Sequence, residues 1–186
     1  MKNSFYRTFA SSLWCLGNTY RYLGGHYAAY DHLKEAYRLY NALLPGNREL
    51  QRHCCQCGID MVNEARLTFE DDDEVASLAS AVEKQAATVS DDDIHVRSLI
   101  MLGKVLVNFG DRQEALRHLE RAKLIVGSDF EALFWIAYVH YCEKRLPEAL
   151  DAAMEAWKLS EPDGNLVGQA QNSFFLGTIL FSANRV

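Results

Sequence analysis

The chain has 186 residues, 49% of them hydrophobic and 24% charged, with a formal net charge of -6 at pH 7. That length suits one compact domain or a short solenoid with a continuous core. The acidic balance and the lack of a Lys/Arg cluster argue against nucleic acid or an anionic membrane surface as partner, because phosphate binding leans on grouped cations.

No uninterrupted apolar run approaches the roughly 20 residues of a membrane-spanning helix. Arg7 interrupts any signal-peptide core in the opening MKNSFYRTFASSLWCLG. Five cysteines, three of them crowded at Cys54, Cys55 and Cys57, do not resemble a disulfide framework. They point to a reducing, cytoplasmic compartment.

From the N-terminus, Leu13, Leu16, Gly17 and Tyr20 mark one helix, Gly24-Gly25 a turn, and Ala29, Leu33 and Ala36 a second helix. The segment 47–67 reads as a helix carrying Cys54, Cys57, Gly58 and Met61 on one face. The acidic Glu70-Asp71-Asp72-Asp73 stretch leads to another helix, 74–89, with Val75, Leu78, Val82 and Val89. Residues 97–126 then form the clearest hairpin: Leu99, Leu102, Gly103 and Leu106, a Phe109-Gly110-Asp111 turn, and Ala115, Leu119 and Ala122. Asp111 with Glu114 has the form of a capping box. A further copy holds Leu133, Ile136, Ala137 and His140, followed by Ala149, Ala153 and Ala156, with Pro147 in place of the glycine turn. A last helix, about Leu166 to Ser182, repeats the Leu176-Gly177 step.

The spacings recur. Gly17 to Ala29, Gly103 to Ala115 and Ala137 to Ala149 are each 12 residues, and Ala29 to Ala36, Ala115 to Ala122 and Ala149 to Ala156 are each 7. The small-residue markers Gly17, Gly58, Gly103, Ala137 and Gly177 lie 41, 45, 34 and 40 residues apart. The differences fall in Leu44-Pro45-Gly46-Asn47, Ser90-Asp91-Asp92-Asp93 and Glu161-Pro162-Asp163-Gly164, which have the composition of loops. A helical hairpin cannot bury its second face alone, so this pattern implies stacked pairs.

These residues resemble the tetratricopeptide repeat, with its Trp/Leu-x2-Leu-Gly-x2-Tyr first helix and Ala-x3-Phe/Leu-x2-Ala second helix. The resemblance covers nearly the whole chain; it is weak over 47–89 and half present at the end. It implies an all-α, right-handed superhelical solenoid of antiparallel helix pairs: one domain, 1–186, with units at 8–44, 47–89, 94–127 and 129–161 and a half unit at 165–183. The longer period of roughly 40, with phrases such as LGNTYRYLG and EALRHLERAKLIVG, is also similar to the repeat regions of large fungal STAND-type signalling proteins. That similarity implies a piece of a longer protein in which another domain handles nucleotide. No G-x-x-x-x-G-K-[ST] loop occurs here.

In such repeats the first helices line a concave groove. The lining implied is Trp14, Asn18, Arg21 and Tyr22; then Arg52, Cys55, Gln56, Ile59 and Asn63; then Arg97, Met101, Lys104 and Asn108; then Phe134, Trp135, Tyr138 and Tyr141; and last Phe174, Phe175 and Thr178. It is aromatic at both ends and polar or mildly basic between, which suits an extended or helical peptide with apolar anchors and an acidic group. The alternative is that these aromatics pack as core. Arrays that clamp the C-terminal carboxylate of chaperones resemble one another in a set of Lys, Asn and Arg residues. Here Asn18, Gln56 and Arg97 stand near three of those positions, but Trp14 and Met101 replace two cations, which argues against that ligand.

Catalytic, metal and cofactor motifs are missing. The Cys54-Cys55-Gln56-Cys57 cluster has only His53 nearby and lacks the second ligand pair of a zinc site; Cys55, on the groove side, is the best candidate for a reactive thiol. The acidic runs lack the alternation and central glycine of a calcium loop. His140, in a slot usually filled by Tyr, reads as a hydrogen-bonded interior residue. The expectation is therefore a non-enzymatic scaffold that binds a protein or peptide without cofactor. The alternative is a structural or autoinhibitory spacer that self-associates through Phe174, Phe175, Leu176, Ile179, Leu180 and Phe181 of the last helix. Single-stranded RNA is a third reading, opposed by the acidic balance.

Overall fold

The computed structural model describes residues 2–45, 47–68, 72–160 and 166–183. Gly46, Glu70-Asp71 of the acidic linker and the Glu161-Pro162-Asp163-Gly164 loop lie outside them. The helices are α1 (Lys2–Tyr22), α2 (His26–Leu43), α3 (Gln51–Thr68), α4 (Asp72–Ala86), α5 (Asp92–Asn108), α6 (Arg112–Val126), α7 (Phe130–Cys142), α8 (Leu146–Ser160) and α9 (Leu166–Ala183), with a short 3-10 turn at Arg48–Leu50. The described residues contain no strand. Two compact units divide the chain, Met1–Val105 and Leu106–Val186.

In the first unit α1 packs on α2, α2 on α3 and α3 on α4. The small residues mark the closest approaches. A Cβ on Gly17 would stand 2.7 Å from Leu33 Cγ and 3.1 Å from the Ala29 carbonyl oxygen, so α1 and α2 touch where the 12-residue spacing places them. A Cβ on Gly58 would meet Tyr37 of α2 at 2.9 Å and Val82 of α4 at 3.1 Å. Helix α3 is flanked on both sides, and this is why nearly its whole length from Cys54 to Ala65 is buried.

The second unit stacks α6 on α7, α7 on α8 and α8 on α9, with further contact between α7 and α9. The second-helix markers, Ala29, Leu33 and Ala36 in one unit and Ala115, Leu119, Ala122, Ala149, Ala153 and Ala156 in the other, are all fully buried. Asp111 caps α6 by accepting from the Glu114 amide at 3.2 Å, and Asp129 caps α7 by accepting from the Ala132 amide at 2.9 Å.

The turns inside three pairs share one geometry. Each is three residues long, and its central residue has positive φ: Gly24 at +76°, Gly110 at +88° and Lys144 at +61°. Pro147 sits in the first turn of α8, as expected. It does not replace the glycine, however: Lys144 takes the left-handed conformation that the other two turns give to glycine.

Candidate functional site

The first-helix residues of the first unit form a polar layer between α1 and α3. Trp14 Nε1 donates to Asp60 Oδ2 at 2.8 Å, Gln56 Nε2 donates to Asp60 Oδ1 at 3.2 Å, and Arg21 reaches the same oxygen at 3.4 Å. One turn along α3, Glu64 Oε2 meets His26 Nδ1 at 2.8 Å. Asp60 and Glu64 are 7% and 2% exposed, so both carboxylates are held by partners inside the protein. The Trp14 ring lies edge-on to Tyr40 and His53, and the Tyr40 hydroxyl bonds Ser11 at 2.9 Å.

This layer corrects part of the predicted lining. Trp14 and Arg21 are engaged with Asp60 inside the protein. Asn18 Oδ1 and Gln56 Oε1 are buried carbonyl oxygens that accept no hydrogen bond. Tyr22 is 83% exposed beneath the Arg21 guanidinium, while Asn63 is half-buried. Arg52 pairs with Asp91 and Asp93 at 3.2 and 3.7 Å. On α5, Arg97 and Asn108 are exposed and Lys104 is half-buried. Met101 and Ile59 are buried at 1% and 3% exposure and offer no contact surface.

Cys55 is also corrected. It is fully buried against Ala86 and Ile94, and burial pushes its thiol up to about 11. Burial first, then the neighbouring Cys55, pushes Cys54 up to about 12, and Cys57 is raised further still. These thiols pack as small apolar groups. Among the described residues no group of three or more His, Cys, Asp or Glu could hold a metal ion, and no helix is long and apolar enough to cross a membrane. His140 Nδ1 is buried without a hydrogen bond, against expectation; burial first, and then Arg145, lowers its pKa.

In the second unit the predicted aromatics gather around one ring. Phe175 of α9 is 7% exposed and lies 5.4 Å from Phe134, 5.6 Å from Tyr141 and 6.0 Å from Tyr138, ring centre to ring centre. Trp135 stands edge-on to Tyr138 at 5.5 Å, and the Tyr141 hydroxyl meets Ser182 at 3.2 Å. Phe175 is therefore core, a second correction of the lining. Tyr138 keeps 36% of its surface at the rim, and Phe174, one position from Phe175, is 80% exposed. The neighbouring Thr178 hydroxyl bonds back to the Phe174 carbonyl.

Sequence reasoning missed Asp60 and Glu64. The available signal was the run of two i, i+4 steps from Gln56 to Asp60 and from Asp60 to Glu64, which puts all three on one face of α3.

Comparison with solved structures places the architecture. The chain is similar to aspartyl phosphate phosphatase F from Bacillus subtilis, with a TM-score of 0.78 and 16% identity over 96% of this chain and 47% of that one. It is similar to the Rap conjugation gene regulator of plasmid pLS20, solved in complex with the Phr* peptide, at a TM-score of 0.74 and 13% identity over 91% of this chain and 46% of that one. A signal transduction ATPase with numerous domains (STAND) from Pyrococcus horikoshii, with a tetratricopeptide repeat sensor, matches at 0.69 and 13% identity over 90% of this chain and 26% of that one. The fold is that of a tetratricopeptide-like helical repeat. At these identities the likeness is one of fold, and this repeat chain spans less than half the length of each of those three proteins. No protein-family model matches the chain, and no curated protein does.

Proposed function

We propose that this chain is a non-catalytic interaction module that binds a peptide or protein partner through the first-helix aromatics of its second unit. The carrying observation is the cluster built on Phe175. The buried Phe175 ring packs against Tyr138, Tyr138 packs edge-on against Trp135, and Tyr138 keeps 36% of its surface exposed. Rigid, partly exposed aromatics lose little conformational freedom on binding and are typical interface anchors. The polar layer around Asp60 supports a framework role for the first unit, because its donors and acceptors are directed inward. A protein of similar fold that was solved with a bound peptide is consistent with this reading.

The test is selection of peptides from a random library on the intact chain, followed by calorimetry with the tightest peptide. Replacing Tyr138 with Ala should weaken that peptide about tenfold or more, equivalent to roughly 1.4 kcal/mol. Failure to select any peptide, or unchanged affinity in folded Tyr138→Ala and Trp135→Ala variants, would exclude these anchors.

A further inference from the structure

A hollow of about 590 Å³ lies in the first unit and is built by α2, α3 and α4. That is the size of a small-molecule site. Tyr30 and Met61, at 5% and 1% exposure, form its floor, and Tyr37 and Leu78 add apolar wall. The Tyr37 end is fixed by a closed set of hydrogen bonds. Its hydroxyl donates to Gln85 Oε1 at 2.9 Å, Gln85 Nε2 donates to Asn41 Oδ1 at 2.9 Å, and Asn41 Nδ2 donates to the Tyr37 carbonyl at 3.2 Å. These bonds join α2 to α4, so that wall is set before a ligand arrives.

Among the described residues, the charged side chains that line the hollow are Lys34 and Arg38, one turn apart on α2, and Glu74 on α4. Lys34 Nζ stands 5.3 Å from the Tyr30 ring centre, so that ring face already holds a cation. Glu35 takes Nε and Nη2 of Arg38 at 2.7 and 2.6 Å and leaves Nη1 as a donor. In the other unit the glutamate at the matching repeat position is Glu155, six residues after Ala149 as Glu35 is six after Ala29. Glu155 accepts from Lys123 at 2.9 Å and bridges α8 to α6. On α2 the glutamate turns back to its own helix, and the cations stay with the hollow.

We propose that this hollow binds a small aromatic carboxylate, its ring against Tyr37, Met61 and Leu78 and its carboxylate on Lys34 and Arg38. Tyrosine rings and a thioether favour an aromatic guest. An ionised carboxylate receives charge-assisted hydrogen bonds from the ammonium and the guanidinium, whereas a cationic guest is repelled by both. The site lies in the first unit and the proposed peptide anchors in the second, so either reading can fail without the other.

Isothermal calorimetry of the full chain with 1-naphthoate at pH 7, where the acid is ionised, tests the site. It should show one saturable site, and the neutral analogue 1-naphthalenemethanol should bind about tenfold more weakly. Lys34→Met and Arg38→Met, at exposed positions, should each weaken 1-naphthoate about fivefold and leave the alcohol unchanged. Ala81→Trp, at an exposed position of α4 that lines the hollow, should abolish binding of both compounds while the thermal melt stays close to that of wild type. No saturable binding of 1-naphthoate, equal affinity for the acid and the alcohol, or unchanged 1-naphthoate affinity in a folded Ala81→Trp variant or a folded Lys34→Met, Arg38→Met double variant would overturn the inference.

Discussion

The alanine variants of three glycines give the repeat geometry a quantitative test. Gly17, Gly58 and Gly177 occupy equivalent first-helix slots, so replacing each with Ala brings the same helix-propensity gain, about 0.5–1 kcal/mol. The surroundings differ. At Gly17 the new methyl would sit 2.7 Å from Leu33 Cγ and 3.1 Å from a backbone oxygen; at Gly58 it would sit 2.9 Å from Tyr37. Overpacking of that kind typically costs about 1–3 kcal/mol, because Leu33 and the α2 backbone must both move. The net effect at Gly17 and Gly58 is a loss of about 1–2 kcal/mol. At Gly177, where a Cβ would meet nothing within 4 Å, the propensity gain stands alone. For a chain of this size 1 kcal/mol shifts Tm by about 2–4 °C. Gly17→Ala and Gly58→Ala should therefore melt about 2–8 °C below wild type, and Gly177→Ala about 1–4 °C above it, by circular dichroism in dilute solution where association contributes nothing. If Gly17→Ala melted at or above wild type, close helix approach would not be the reason for glycine there.

Four further outcomes follow from the polar layer, the buried thiols and the turns. Asp60→Ala strands the Trp14 indole and the Gln56 amide and should lower stability by about 1–3 kcal/mol in urea titration, with a red shift in Trp14 emission as its bond opens; no change would mean the layer holds nothing together. A thiol reagent at pH 8 should modify Cys15 quickly and Cys54, Cys55 and Cys57 only on unfolding, because all three are fully buried and their thiols are raised. Since the folded values for Cys54 and Cys55 stand near 12 and 11 against an ordinary 9.0, the folded chain holds those protons more tightly. Their contribution is intact below pH 9 and is lost as the pH climbs toward 11 and 12, so a urea midpoint unchanged across that range would refute it. Lys144→Gly relieves a left-handed non-glycine residue at φ +61° and should stabilise the chain by about 0.5–1 kcal/mol, measured by thermal melting; a lower Tm would show that Lys144 makes a compensating contact.

The helices and their pairing were legible because the sequence repeats its packing instructions. A small residue, another 12 positions on and a third 7 beyond that define where two backbones touch, and Ala29, Ala115 and Ala149 are fully buried accordingly. The site was less legible because lining positions were assigned by counting from those markers, as though every first helix had the same free face. Met101 and Cys55 fail that assumption: both are buried, Cys55 against Ala86 and Ile94. Phe175 fails for another reason, since α9 leans on α7 and turns that ring inward. Lys144 was missed because its left-handed conformation arises from the length of the turn, and a lysine carries no local sign of it.

The Asp60 layer has a physical role that the apolar markers cannot fill. Contacts among Ala, Leu and Gly are non-directional, and the slots at Gly17 and Gly58 are alike enough that apolar packing alone discriminates weakly between neighbouring registers. The bond from the Trp14 indole to Asp60 has one satisfied geometry, and Gln56 and Arg21 share the same carboxylate. Sliding α1 against α3 by one turn, about 5.4 Å, would leave a buried charge and a buried donor without partners, at a cost of several kcal/mol. An apolar replacement of the whole group could match its stability but would lose that penalty on misalignment. In this unit, then, buried polarity fixes the register of α1 on α3.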